Sequence, residues 1–311
     1  MVAQASYLLL HLTAKKEITR SIHLPMEGTG NLARDVTRGY LKSISLAVAE
    51  PISVLSARNK MPDKEPRRPF SIVIPTLNEE GFLPRLLADL SRQDYRGFEV
   101  IVVDAKSKDK TLFNAREFQK KLPSLIILQS SRANVSLQRN MGAKKAKGKW
   151  IIFMDADDRI PPFFLTGVRY RTTKDKPDIF TCWCKTAEKS PENKAIETFL
   201  NLSLETLKLI DYPAALGALI GVKSRIFGKI GGFNVRTKFA EDSEFIRTAF
   251  KKGFKFSVFR DPYYIYSLRR LRKEGKMKRL RNYVRLNLKK LLKLKIKPSK
   301  EYPMGGSNYD Y

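Results

Sequence analysis

Histidine is almost absent. The 311 residues hold two, His11 and His23, both near the start of the chain. The rest of the sequence therefore cannot supply a Ser-His-Asp triad, a Cys-His pair or a His-rich zinc site. Cysteine is as scarce, with Cys182 and Cys184 in "IFTCWCK" the two present. At spacing two on a strand they share a face but are poorly placed to bridge each other. They read as core or half-buried thiols of a reducing compartment. No apolar run approaches the roughly 18 residues that a spanning helix needs. The opening "MVAQASYLLLHLTAKKE" makes a poor signal peptide, because its apolar run is short and its basic residues follow that run. Acidic residues are the third deficit: 31 Asp and Glu face 60 Lys and Arg, a formal charge of +29. That excess points toward nucleic acid, an anionic membrane surface or phosphorylated ligands, with a Lys-rich thermophile surface as the alternative.

What is present is enough to fold. Apolar residues make up 42% of the chain, which argues against global disorder and for one large domain with appendages. Residues 1–66 form an arm of unassigned role that closes in the Pro-rich charged linker "RNKMPDKEPRRP". From Phe70 the rhythm is regular. "FSIVIPT", "FEVIVVDA", "LIILQSS" and "WIIFMDAD" read as strands, separated by "EEGFLPRLLADLSRQ", "KTLFNAREFQKKL" and "VSLQRNMGAKKAK", which read as helices. Strands alternating with helices predict a mostly parallel sheet covered on both faces. Beyond Pro161 the alternation loosens. "DIFTCWC", "GALIGV" and "FKFSVF" read as strands, "KAIETFLNLSLETLKLI" and "AEDSEFIRTAFKKG" as helices, and "FGKIGGFN" as a Gly-rich turn. Residues 67–267 thus form the main folded domain, with halves at 67–160 and 161–267. Residues 268–311 form a basic tail with leucines at helical spacing.

Ligands of such sheets sit at the carboxyl ends of the strands. Asn78 and Glu79, Asp104, and the cluster Asp155, Asp157 and Asp158 all follow strand ends, so acidic groups from three strands converge on one edge. Neither common phosphate loop accounts for them. "GAKKAKGKW" fails as a P-loop, since Trp150 replaces Ser/Thr and a strand follows it, and the first strand is followed by "PTLNEE" instead of GxGxxG. Carboxylates on a loop after a strand can hold Mg²⁺ or Mn²⁺, and such an ion can bridge diphosphate oxygens. The alternative is that these aspartates cap a turn or the following helix.

Five segments, in order, resemble the family-2 glycosyltransferases: "FSIVIPTLNEEGFLPRLLADL", "EVIVVDAKSKDKT", "QRNMGAKKAKGKWIIFMDADD", "IGGFN" and "AEDSEF", spanning Phe70 to about Phe259. The resemblance implies an α/β fold of the GT-A type, a three-layer sandwich with a mostly parallel central sheet. It also implies roles. Pro75, Leu77 and Glu79 would line the nucleotide pocket, with Glu79 accepting from a ribose hydroxyl or the base. Asp104 would contact the base. The Ala105–Lys106 pair after it departs from the usual small-residue turn and leaves that geometry open. Arg139 would meet the sugar diphosphate or brace loops, Asp155 and Ala156 would lie near ribose and sugar, and Asp157 would be the principal metal ligand with Asp155 beside it. Arg159 occupies a donor-site position where relatives often carry Gln. Asp242 would be the catalytic base with Glu241 in support; the alternative for Asp242 is helix capping.

The expectation is therefore an inverting enzyme that uses Mn²⁺ or Mg²⁺ and moves one sugar from a UDP- or GDP-linked donor. The acceptor would be a glycan hydroxyl or a lipid-linked phosphate. Processive polymerisation is disfavoured, because no Q-x-x-R-W follows Asp242. Without a spanning segment, the basic tail suggests peripheral attachment at the cytoplasmic face of an anionic membrane. A nucleotidyltransferase is the alternative enzyme. A nucleic-acid-binding protein is a weaker one, since the basic residues crowd the tail without regular aromatic interleaving.

Overall fold

The computed structural model describes residues 69–215, 219–237 and 240–269. The expected N-terminal arm, and the basic segment beyond Arg269, lie outside the described residues.

Four apolar runs form the parallel heart of the sheet: β1 (Phe70–Thr76), β2 (Phe98–Asp104), β3 (Leu125–Gln129) and β4 (Trp150–Met154). Every residue of β1, β2 and β4 is buried. Strands apolar on both faces need helices on both sides. Alternation divides them accordingly, with Ile72 and Ile74 facing one core and Val73 the other. The first core is closed by α1 (Leu83–Ser91), α2 (Thr111–Arg116) and α4 (Phe164–Lys174), the second by α3 (Val135–Lys145), α6 (Ser224–Ile230) and α7 (Glu241–Lys251). The long α5 (Pro191–Leu209) gives Leu200 to the first core and Leu204 to the second.

The strand order is β3-β2-β1-β4-β6-β5-β7. β5 (Ile179–Thr186) and β7 (Phe256–Tyr266) pair in parallel, whereas β6 (Leu219–Lys223) runs antiparallel between β4 and β5. The pairing Thr76↔Asp104 sets the ends of β1 and β2 level, so the loops after them meet. Both cysteines are free and buried.

Two expected boundaries move. The last strand does not end at Phe259 but continues to Tyr266 through Pro262. β7 is the outermost strand, where a missing amide breaks no central ladder. The second helix stops at Arg116, after which Phe118 and Gln119 donate to carbonyls three residues back, a tighter turn.

Candidate active site

The loops after β1 and β2 are laced together. Asn78 sits at φ 54°, a left-handed conformation that Asn tolerates better than most residues. Its N–H donates to Ser107 Oγ at 2.8 Å, and its Oδ1 accepts from the Lys108 N–H at 2.9 Å. The Glu79 N–H donates to Thr111 Oγ1 at 2.7 Å. Asp104 is fully buried and accepts from Thr76 Oγ1 and from both Ser107 N–H and Oγ–H. Asp104 thereby fixes the turn. Pro75 is buried inside β1 and Leu77 is half-buried at its exit.

The three carboxylates after β4 have three different fates. Asp155 Oδ1 accepts from Arg139 Nη2 at 3.0 Å. Asp157 Oδ2 lies 3.4 Å from Arg269 Nε. Asp158 turns inward to 1% exposure, with the backbone of Asp155 and of Ser267 facing its carboxyl. Burial, with the charges of Asp155 and Asp157, pushes its carboxyl well above the usual range. The repulsion implicit in the D-A-D-D sequence is thus relieved by two arginines and one buried acid. Ala156 is buried between them. Arg159 does not face the cluster with its guanidinium; it forks onto Asp89 of α1, with Nη2 to Oδ1 at 2.7 Å and Nε to Oδ2.

Helix α3 connects these loops to the far side of the site. Asn134 caps it, accepting from the Leu137 N–H at 2.8 Å. Three consecutive side chains then act on three different loops. Gln138 donates to the Thr76 and Val103 carbonyls at 2.9 and 2.7 Å, clipping the ends of β1 and β2. Arg139, 2% exposed, spans Asp155 and Glu241, each at 3.0 Å, with its guanidinium 5.2 Å from the Phe233 ring centre. Burial disfavours its charge, but Asp155, Glu241 and Asp242 outweigh that and raise its pKa. Asn140 exchanges two 2.8 Å bonds with the Phe233 backbone. That close approach is possible because Gly232 is left-handed (φ 75°), and a Cβ there would lie 2.8 Å from Asn140 Oδ1.

Glu241 and Asp242 open α7. Ala240 holds the N-cap position at φ 53° with no side chain to cap the helix, so Asp242 stands in the first turn. Asp242 is 8% exposed, and its Oδ1 accepts from the Ser243 N–H at 2.6 Å. Burial, then the charge of Glu241, raise its pKa to about 7, against the pull of Ser243 and Arg139. Glu79 is held by Arg269, yet burial still raises its pKa, with Asp157 and Asp155 adding to the rise.

The donor set is all oxygen, as Mg²⁺ and Mn²⁺ prefer. Among the described residues no three metal-ligating side chains gather at one point. Each of the two loop carboxylates already faces a guanidinium, Asp155 that of Arg139 and Asp157 that of Arg269. Sequence reasoning missed Gln138, Asp89 and Arg269. Arg269 had no distinguishing signal among the basic residues of the tail, and Asp89 looked like an ordinary polar position on a helix.

Comparisons with known proteins point the same way. Residues 71–261 match the family described as glycosyl transferase family 2. A Haemophilus influenzae protein described as an uncharacterized glycosyltransferase is 28% identical over 183 residues, covering 57% of this chain and 60% of that protein. The Staphylococcus aureus poly(ribitol-phosphate) beta-N-acetylglucosaminyltransferase TarS is 27% identical over 208 residues, 65% of this chain and 36% of TarS. The crystal structure of TarS 1–349 in complex with UDP-GlcNAc superposes with TM-score 0.53 at 26% identity, covering 64% of this chain and 58% of that one. A Pyrobaculum calidifontis mannosyltransferase in complex with GDP-Man and Mn²⁺ shares the fold, with TM-score 0.58 at 20% identity over 75% of this chain and 65% of that one. The chain therefore spans less than two thirds of the length of these curated relatives.

Proposed function

The chain belongs to glycosyl transferase family 2, and from that premise we propose that it transfers a single sugar from a UDP- or GDP-linked donor to an acceptor hydroxyl or lipid phosphate, with inversion. One observation carries the assignment of chemistry: Asp242 is a buried carboxylate whose pKa is raised to about 7, beside the Arg139 bridge that ties Glu241 to Asp155. A base is most effective when its pKa lies near the working pH.

In this reading Glu79 accepts from the ribose or base, Asp104 supports the nucleotide end, and Asp155 and Asp157 hold a divalent cation. When bound, that cation supplies positive charge to the diphosphate. Asp242 takes the proton of the acceptor hydroxyl as its oxygen bonds to the anomeric carbon. The bond from that carbon to the diphosphate breaks, and the nucleoside diphosphate leaves with the electron pair. Arg139 keeps the supporting carboxylate of Glu241 aligned with the donor loop. If the acceptor is a lipid phosphate, already an anion, Asp242 orients it and removes no proton. Residues 268–311 carry the proposal of a peripheral membrane contact. Flotation of the full chain with anionic but not neutral liposomes, weakening with salt, is its test.

The transfer reading is tested by incubating the protein with a panel of nucleotide sugars and Mn²⁺ or Mg²⁺. Release of UDP or GDP with a glycosylated acceptor supports it. Release of pyrophosphate would instead make the enzyme a nucleotidyltransferase.

A further inference from the structure

We propose that Arg269 is an internal stand-in for the divalent cation of the donor site, and that loading the metal requires it to leave Glu79 and Asp157. The proposal rests on the donor-site reading above.

Three loops meet at this side chain. Glu79 follows β1, Asp157 follows β4 and Arg269 follows β7. Arg269 Nη1 donates to Glu79 Oε2 at 3.0 Å and Nη2 to Oε1 at 2.9 Å, a full bidentate fork. Its Nε lies 3.4 Å from Asp157 Oδ2, and its guanidinium carbon 4.4 Å from the centre of the Phe82 ring. Arg269 and Asp157 both line a cavity of about 500 Å³, together with Arg85, Arg159 and Leu268.

Two carboxylates from separate loops need a cation between them when no ligand is bound, and Arg269 provides one charge in the right place. It competes with a divalent ion for Asp157. The ion would sit roughly 2 Å from the same carboxylate, which would bring two positive centres close together in a partly dry site. Metal and Arg269 therefore exchange. Departure of Arg269 also frees Glu79 to receive the nucleotide, so one movement opens both contacts.

The test uses the full chain and Mn²⁺ alone, without nucleotide, so that it does not depend on turnover. Free Mn²⁺ is counted by electron paramagnetic resonance during titration. Arg269→Gln is expected to bind Mn²⁺ roughly tenfold more tightly than the unaltered chain, within the usual range for coupled sites. Arg269→Lys, which keeps the charge but loses the fork, is expected to fall between. Equal or weaker Mn²⁺ binding by folded Arg269→Gln overturns the proposal, and so does the absence of Mn²⁺ binding by both the unaltered chain and the variant. A second measurement needs no variant. Modification of Arg269 by phenylglyoxal, read by peptide mass spectrometry, is expected to speed up when Mn²⁺ is added; an unchanged or slower reaction overturns the exchange. The two readings fail separately: sugar transfer without any effect of Arg269 on Mn²⁺ removes only the exchange, and exchange without nucleoside diphosphate release removes only the transfer reading.

Discussion

Arg139 and Glu241 lie 102 positions apart in sequence and 3.0 Å apart in space. Their ion pair is what joins the donor loop to the start of α7, because the other Arg139 amino group binds Asp155. A buried pair of this kind contributes little net stability when whole, but its rupture leaves uncompensated charge. Arg139→Met is therefore expected to destabilise the fold by about 3–5 kcal/mol, the usual cost of removing one partner. Urea denaturation near neutral pH measures it. Arg139→Lys should recover only part of the loss, since a single ammonium nitrogen must serve two carboxylates that Arg139 reaches with separate nitrogens. A loss below about 1 kcal/mol in Arg139→Met would mean that the bridge is not structural.

Asp157→Ala is expected to abolish metal-dependent nucleoside diphosphate release while leaving the circular dichroism spectrum unchanged. The residue sits on a loop, and its contact with Arg269 is a long one at 3.4 Å. Arg269 would keep its fork on Glu79, so the loop retains an anchor. Full activity in this variant, or in the unaltered enzyme with EDTA, would remove the metal from the reaction.

The sheet edge was legible because its residues announce themselves. Short apolar runs such as "WIIFM" alternating with helical segments read as interior strands, and acids directly after them fall at the carboxyl edge. Glu79, Asp104, Asp155 and Asp157 could be placed on those grounds before any coordinates, whereas Asp242 came from the family resemblance. The direction of β6 was not legible, because a five-residue apolar run carries no sign of which way it runs. Nor was the fate of Asp158, since an acid that turns inward and one that turns outward look alike in sequence. Arg139 was legible as a residue of interest but not as a buried bridge, because its partners come from β4 and α7. Arg269 was hidden by abundance.

Gly142 is expected to admit no side chain. A Cβ there would lie 2.3 Å from Val73 Cγ1 on β1, in the core beneath α3. Gly→Ala within a helix ordinarily gains about 1 kcal/mol. Overpacking a tight core costs about 1–3 kcal/mol, so the clash wins. Gly142→Ala should therefore lower the urea midpoint. It should also weaken donor binding, because α3 positions Gln138, Arg139 and Asn140 together. A rise in stability would show that α3 can slide away from β1 at no cost.

Asp242 links the chemistry to pH. Its pKa is raised from 3.8 to about 7 in the folded protein. The native state therefore holds a proton that the unfolded chain gives up between about pH 4 and pH 7, and stability falls as pH rises through that window. Asp242→Asn removes this dependence. The variant is expected to match the unaltered protein near pH 4 and to exceed it in urea midpoint near pH 8, where the wild-type site must bury a charge. Activity should move the opposite way. With a hydroxyl acceptor, transfer by the unaltered enzyme should fall about tenfold per unit below about pH 7, as the base becomes protonated. Asp242→Asn should be slower by roughly 10²–10⁴-fold, the usual loss for a missing general base, with nucleotide affinity retained. A variant that is both more stable at high pH and inactive would identify Asp242 as a group held in a costly state for its function. An unchanged rate would remove it from the mechanism, and a loss of donor affinity alone would reassign it to binding.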